Sequence, residues 1–424
     1  MKRALVLSGG GAKGAYQLGV YKALKRLGIK IDIITGTSIG AINGALLVSG
    51  DYRKAKKLWI STKTSNVLHH DISNPKEYAD IAKEYIKNKG LKFDKAEEYI
   101  SKIIKESKVR KSKIDYGLVT VNLKTKVPKM LSKDQIPNGK LISYISASAA
   151  CFPAVEKKEI DGEYYIDGGY YDNLPINLAI DMGADEIIAV DLSALGIKQK
   201  VKSKNIKIDY IKSNNKRKFS LNFSPSNSKR SMKLGFNDTM KHFNMLDGKT
   251  YTFNRKDLEK NYQKYSENYI NLIKLILLSD KKNFAISDLL RNKRYQDIFL
   301  KIKQGKDLTT EMNNALEYLA DIFEFDEDKI YNINTFNRKL IQEAKSLDYI
   351  TLDKKLKGKM LIGHIYNKYI NENENKEAIK KLFNISLIFP KDFMAALYLI
   401  AISVKEQIVV NNDISNQILK KIKN

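Results

Sequence analysis

Two glycine-rich junctions constrain this chain more than any other feature, because each lies between an apolar strand run and a helical pattern. The first is Ser8-Gly9-Gly10-Gly11-Ala12-Lys13-Gly14, after the run Ala4–Leu7 and before a helical pattern from Ala15 to Leu27. The second is Gly36-Thr37-Ser38-Ile39-Gly40, after the strand candidate Ile29–Thr35 and before an apolar helix Ile39–Val48. Tyr116–Val121 and Glu186–Asp191 read as further strands, the latter preceded by a helix Asn177–Met182 and Gly183. Strand and helix alternating in this way predict an α/β fold with a mostly parallel sheet.

The first junction, taken alone, is ambiguous. Glycines let its backbone reach positive φ and bring N–H groups close to an anion. Gly9, Gly11 and Gly14 fit the G-x-G-x-x-G dinucleotide pattern. A Walker A loop fits worse, since Ala15 stands where that motif needs lysine. The ordinary alternative is a tight turn with no ligand. The second junction weakens the dinucleotide reading. That fold wants an acidic residue at the tip of its second strand, whereas Asp32 lies inside the strand and the tip carries Ser38.

The second junction has the strand–turn–helix context of a nucleophile elbow. Gly36 and Gly40 flank Ser38, where a Cβ would collide with neighbouring backbone. The N-terminus of the following helix would stabilise negative charge developing near Ser38. The ordinary alternative is Ser38 as a helix N-cap, worth about 1 kcal/mol.

A serine nucleophile needs a base, and histidine is scarce. His69 and His70 sit in a polar stretch, and His242 and His364 in helical patterns, none beside a glycine turn or strand end. Asp167-Gly168-Gly169, after the strand Glu163–Ile166, offers a carboxylate instead. An ordinary Asp, with a pKa of about 3.9, is a weak base towards a hydroxyl. A dry site raises its basicity, and preorganised donors lower the cost of the alkoxide. The ordinary alternative is a turn aspartate, common in Asp-Gly. A single cysteine, Cys151, excludes a disulfide scaffold and any multi-cysteine metal site, and no metal or cofactor is expected.

Taken in order, the loop at 9–14, the elbow at 36–40 and Asp167-Gly168-Gly169 resemble the patatin-like phospholipase family. Two longer segments resemble it as well: Ser146-Ala147-Ser148-Ala149-Ala150-Cys151-Phe152-Pro153, and the extension Tyr170-Tyr171-Asp172-Asn173-Leu174-Pro175 of the aspartate motif. The resemblance covers about residues 1–195. It implies a three-layer α/β/α domain and acyl-ester hydrolysis by a Ser–Asp dyad without calcium. By position, Ser38 is the nucleophile and Asp167 the base. Backbone N–H groups of Gly10 and Gly11, with Gly9, form the oxyanion hole. Gly14, Gly36, Gly40, Gly168 and Gly169 support the motifs. Ser8 stands where many members have Asp, and Lys13 where Arg is usual. Lys13 is a candidate contact to a lipid phosphate.

Charge organises the rest of the chain. The formal net charge is +27, which favours an anionic partner. Ile197–Lys233 holds 12 basic residues and one acid, Asp209. The expected organisation is a catalytic domain at 1–195, a basic linker or mobile loop at 196–235, and a separate all-α region at 236–424. Within that region Leu258–Leu278, Asn314–Phe323, Phe336–Leu347, Leu361–Ile370 and Ala378–Ile388 have helical periodicity. Its role stays open between a membrane-docking module, a partner-binding module and a plain helical cap. The longest apolar run, Phe393–Val404, would span only about 18 Å as a helix, so no transmembrane helix is expected. The apolar run after Lys2-Arg3 is too short for a secretory signal.

The expectation is therefore a cytoplasmic acyl hydrolase peripheral to an anionic membrane surface. Its substrate would be a phospholipid or lysophospholipid. The same dyad could instead transfer the acyl group to an alcohol. In a different class stands a basic membrane- or nucleic-acid-binding protein on a vestigial hydrolase fold. No nucleic-acid-binding signature accompanies the charge, so nucleic acid is not the expected partner.

Overall fold

A computed structural model describes residues 1–64, 91–92, 94–203, 205–212, 223–278, 297–298, 300–301, 304, 306–347, 357–371 and 389–404. The helix expected over Ala378–Ile388, the pair His69 and His70, and parts of the basic segment lie outside the described residues. The chain divides into two compact units, Met1–Phe243 and Asn244–Asn424.

The first unit is built on a sheet. Its strands are β1 (Arg3–Leu7), β2 (Ile33–Thr37), β3 (Asp115–Asn122), β4 (Pro128–Ser132), β5 (Lys158–Ile160), β6 (Glu163–Asp167), β7 (Glu186–Asp191) and β8 (Lys207–Lys212). Their order is β5-β6-β3-β2-β1-β7-β8, with β4 also pairing β3. From β3 through β2, β1 and β7 to β8 every pairing is parallel. β4, β5 and β6 pair antiparallel.

Strand β1 shows why the sheet is covered on both faces. Leu5 and Leu7 enter one core with helices α1 (Ala15–Arg26) and α2 (Ile39–Val48). Ala4 and Val6 enter another, with Ile176 and Ala179 of α7 (Ile176–Asp181). Alternate residues of a strand point to opposite faces, so a run apolar at every position is buried between two helical layers. The layer that holds α1 and α2 also carries α3 (Tyr52–Ser61). The same core takes residues of α4 (Asp94–Ile103), α5 (Glu106–Lys111) and α6 (Leu141–Ser148).

The linker expected over 196–235 is a difference between sequence and fold. β8 extends the sheet in register with β7 from Glu186↔Lys207 to Asp191↔Lys212. Helix α8 (Pro225–His242) packs against α1. Lysines on an edge strand and on the outer face of a helix suppress the apolar periodicity by which such elements are recognised. Edge strands are also where lysine is favoured.

In the second unit, Asn244–Asn424, the described residues are mostly helical. Its described helices are α9 (Asp257–Leu278), α10 (Thr309–Ile322), α11 (Ile333–Lys345), α12 (Lys359–Asn371) and α13 (Pro390–Ser403). It is not all-α. Three short strands, β9 (Leu246–Asp247), β10 (Thr252–Asn254) and β11 (Ile330–Tyr331), form a small sheet. Strands of two or three residues are too short to show a period. Phe393 through Ile402 are buried without a break at the centre of this core. Among the described residues no helix is long and apolar enough to cross a membrane.

Candidate active site

Ser38 follows β2 directly and has φ 57° and ψ −125°. That conformation is strained for a residue with a Cβ. The turn can be this sharp because its flanks are bare. A Cβ on Gly36 would lie 2.3 Å from the Gly40 carbonyl oxygen, and one on Gly40 would lie 2.2 Å from that of Leu7. Ser38 occupies the N-cap position of α2, but its side chain makes no capping hydrogen bond. Its carbonyl accepts from the N–H groups of Ala41 and Ile42 at 2.9 and 3.3 Å. Its own N–H donates to Ser148 Oγ at 3.0 Å.

Ser38 and Asp167 line the same cavity, and the serine favours the ionised form of the carboxylate. Asp167 ends β6 and is 5% exposed. Its backbone N–H donates to Ala150 at 2.8 Å, and its Oδ1 accepts from Gly169 N–H at 2.7 Å. One carboxylate therefore both holds the turn and lines the cavity of Ser38. Burial pushes the Asp167 pKa up to about 6, against the opposing pull of Ser38 and of the Gly169 N–H. Desolvation penalises the ionised form, which makes the ionised carboxylate a better base. Gly168 lets this turn lie against the sheet, since a Cβ there would meet the Val119 carbonyl oxygen at 2.2 Å.

The Gly-rich loop lies opposite. Gly10 and Gly11 line the same cavity as Ser38 and Asp167. Among the described residues their backbone N–H groups have no acceptor. Gly9 departs from the expectation. Its N–H already donates to the Asn173 carbonyl at 3.1 Å, so it is not a free oxyanion donor. Gly14 is a packing position, where a Cβ would lie 2.5 Å from Ile39 Cγ1 and 2.8 Å from Trp59 Cζ2.

Lys13 also departs from the expectation. Its side chain is buried and donates to the carbonyls of Leu192 and Ser193 at 3.3 and 3.4 Å. Burial lowers its pKa, and the charge of Asp191 partly offsets this. It does not line the cavity, so it is not placed to meet a lipid phosphate there. A lysine stem long enough to fold back onto β7's end reads in sequence like any surface cation.

The cavity holds about 480 Å³ and its walls are mainly apolar, with Ile39, Ile42, Leu58, Trp59, Val155 and Phe223 among them. Among the described residues no histidine lines it. His242 instead lies 3.2 Å from Asp209. Cys151 is in the wall, with its thiol pushed up to about 11 by burial and by the nearby Asp167 charge.

A buried polar chain supports the loop, and sequence reasoning missed it. Trp59 Nε1 donates to Asn43 Oδ1 at 2.9 Å, and Asn43 Nδ2 donates to Gln17 Oε1 at 2.8 Å. Gln17 Nε2 donates to the Ser8 carbonyl at 2.7 Å. Ser8 Oγ in turn accepts from Leu192 N–H at 2.9 Å. The only signal available was the presence of Gln17 and Asn43 on otherwise apolar helix faces. Ser148 lay inside a segment singled out for its small residues, with nothing to mark its contact with Ser38. Asp172 holds the loop after Asp167 by accepting from the N–H groups of Leu174 and Gln199, and burial pushes its pKa up to about 6.

Comparison with known proteins bears on the first part of the chain. Residues 5–180 match the family model described as patatin-like phospholipase. Patatin-like phospholipase domain-containing protein 7 of Rattus norvegicus is 34% identical over 200 residues, 45% of this chain and 14% of that protein. Lysophospholipase nte1 of Aspergillus terreus is 34% identical over 196 residues, 45% of this chain and 12% of that protein. Patatin-like phospholipase domain-containing protein 6 of Homo sapiens is 31% identical over 201 residues, 45% of this chain and 13% of that protein. The match therefore spans about one seventh or less of these relatives. Among solved structures, VipD from Legionella pneumophila has a TM-score of 0.36 and 13% identity, over 95% of this chain and 92% of that one. The type III effector protein ExoU has a TM-score of 0.32 and 12% identity, over 93% of this chain and 76% of that one. Residues 5–180 of this chain form a patatin-like phospholipase domain.

Proposed function

We propose that the chain is a lipid acyl hydrolase that cleaves fatty-acyl esters of phospholipids or lysophospholipids at Ser38. The observation that carries this reading is that Ser38, on a sharp strand-to-helix turn, and buried Asp167 line one apolar cavity. Asp167 takes the Ser38 proton as the oxygen attacks the ester carbonyl. The N–H groups of Gly10 and Gly11 hold the tetrahedral oxyanion, a contribution whose loss costs ~10²–10³ in rate per donor. Asp167 returns the proton to the leaving alkoxide, and the alcohol departs. Water, deprotonated by the same carboxylate, then releases the fatty acid from the acyl-enzyme. The apolar walls would hold the acyl chain. The family match and the similarity to a patatin-like phospholipase domain-containing protein and a lysophospholipase support the substrate class.

The test is incubation of the purified full chain with a mixed phospholipid and lysophospholipid panel, with every product identified by mass. Free fatty acid and the matching lysolipid or glycerol phosphodiester are expected. Ser38→Ala and Asp167→Asn should lose the products while retaining the fold. Undiminished fatty-acid release by Ser38→Ala protein would falsify the assignment. Acyl products formed only when an alcohol is added would make transfer, not hydrolysis, the reaction.

A further inference from the structure

The loop at the mouth of the cavity combines a fixed backbone with exposed apolar side chains. Its backbone is tied to the turn that follows Asp167. Ile197 N–H donates to the Gly169 carbonyl at 2.9 Å, and Asn173 N–H donates to the Ile197 carbonyl at 2.6 Å. Lys198 pairs with Asp191 at 2.7 Å, and Gln199 Nε2 donates to the Tyr171 carbonyl at 2.8 Å. Yet Leu195 is 86% exposed, Ile197 54% and Tyr170 45%, and all three line the cavity that holds Ser38. Single exposed apolar residues are ordinary. Three of them on one rim, held by a pinned backbone, form a patch of the kind that marks an interaction surface.

We infer that Leu195, Ile197 and Tyr170 dock the mouth of the cavity onto a phospholipid surface by inserting among the acyl chains. The inference rests on the hydrolase reading for its choice of occupant. The patch is continuous with the apolar wall beside Ser38, so a chain leaving a lipid layer would pass over apolar surface all the way to the nucleophile. Charge fits the same occupant. Between Asp191 and Asp209 the sequence holds five lysines and no acid. Lys198 is spent on Asp191, Lys202 meets Asp181 at 3.1 Å and Lys207 meets Asp209 at 3.8 Å. Lys200 is exposed and makes no ion pair with a described residue. Cations beside an apolar wedge favour an anionic lipid surface.

The experiment uses the full chain with Ser38→Ala, so that binding is read without turnover. Flotation is measured with vesicles of phosphatidylcholine alone and of phosphatidylcholine mixed with phosphatidylglycerol, across a salt series. Binding to the mixed vesicles is expected to be the stronger and to weaken with salt. Leu195→Ser with Ile197→Ser should weaken partitioning about tenfold or more. Leu195→Ser alone, at a side chain with almost no packing, should weaken it severalfold and guards against loss of the fold. Ile330→Ser, at an exposed apolar residue of the other unit, should leave partitioning unchanged. Partitioning that ignores both loop substitutions, an equal loss with Ile330→Ser, or no binding to any vesicle overturns the inference. Hydrolysis is scored separately on the chain with Ser38 intact. Vesicle binding that depends on Leu195 and Ile197, in a chain that releases no fatty acid, supports the docking surface and sinks the hydrolase reading. Fatty-acid release by a chain whose vesicle binding ignores both residues does the reverse.

Discussion

The backbone N–H of Gly9 donates to the carbonyl of Asn173 at 3.1 Å, joining the Gly-rich loop to the turn that carries Asp167. A Cβ on Gly9 would lie 2.3 Å from Asn173 Oδ1 and 3.1 Å from Ser38 Cβ. Gly9 is thus the point where base loop, nucleophile and glycine loop meet. Gly9→Ala should cost about 1–3 kcal/mol by overpacking. It should cost activity out of proportion, about 10²-fold, because small misplacements of reacting groups are expensive. Urea denaturation and ester hydrolysis on the same preparation check both. A variant that loses stability and keeps full activity would show that this junction does not position the site.

Ser38 carries strain that a glycine would relieve. Its φ of 57° with ψ of −125° lies outside the regions open to residues with a Cβ. Ser38→Gly should therefore stabilise the fold by about 1 kcal/mol, at the low end of typical strain energies. Ser38→Ala keeps the Cβ and should show no such gain. Both should abolish hydrolysis. Equal melting temperatures for the two variants would argue that the elbow stores no strain.

The pH dependence follows from Asp167. Burial places its pKa at about 6 in the folded chain, against about 3.9 when unfolded. The base works only when ionised, so kcat/KM should rise with pH through about 6 and then level. The stability effect has the opposite sign. Between the two pKa values the folded state holds the extra proton, so stability falls as pH rises through this window. Asp172, also pushed up to about 6, adds to that fall. Asp167→Asn should flatten part of the stability profile, which denaturation at stepped pH will show. Activity that is level from pH 5 to 8 would remove Asp167 as the base.

The parts of this architecture that were legible in sequence are those set by local rules. Gly36, Ser38 and Gly40 announce an elbow because only a bare residue tolerates a carbonyl oxygen within 2.3 Å of its would-be Cβ. Asp167 was reachable by elimination, since histidine was scarce and a glycine turn followed a strand. What escaped depends on chain folding over long separations. Lys13 meets carbonyls 179 and 180 residues away. The amide of Gly9 is taken by a residue far along the chain, and nothing near Gly9 hints at it. Helix α8 and strand β8 escaped because lysines on their exposed positions blur the period that buried positions such as Ile211, Met232 and Leu234 would otherwise reveal.

That hidden extension sets where the first unit can be cut. Helices α1 and α8 cross in backbone contact. A Cβ on Gly19 would lie 2.0 Å from the Met232 carbonyl oxygen, and one on Gly235 would lie 2.1 Å from that of Tyr16. Tyr16 Oη donates to Asp238 Oδ2 at 2.8 Å, and burial together with the Asp238 charge drives the Tyr16 pKa well up. Ile211, Met232 and Leu234 complete the core around α1 and α2. A chain ending at Leu195 loses all of this and bares the outer edge of β7. At ~1.5–3 kcal/mol for each buried apolar side chain, the three alone remove about 4–9 kcal/mol. The stability of a domain is ~5–15 kcal/mol. A chain of residues 1–195 should therefore fail to fold or aggregate through β7, whereas residues 1–243 should melt cooperatively. Calorimetry on both chains decides the matter. A cooperative transition from residues 1–195 would return the segment after 195 to the role of a linker.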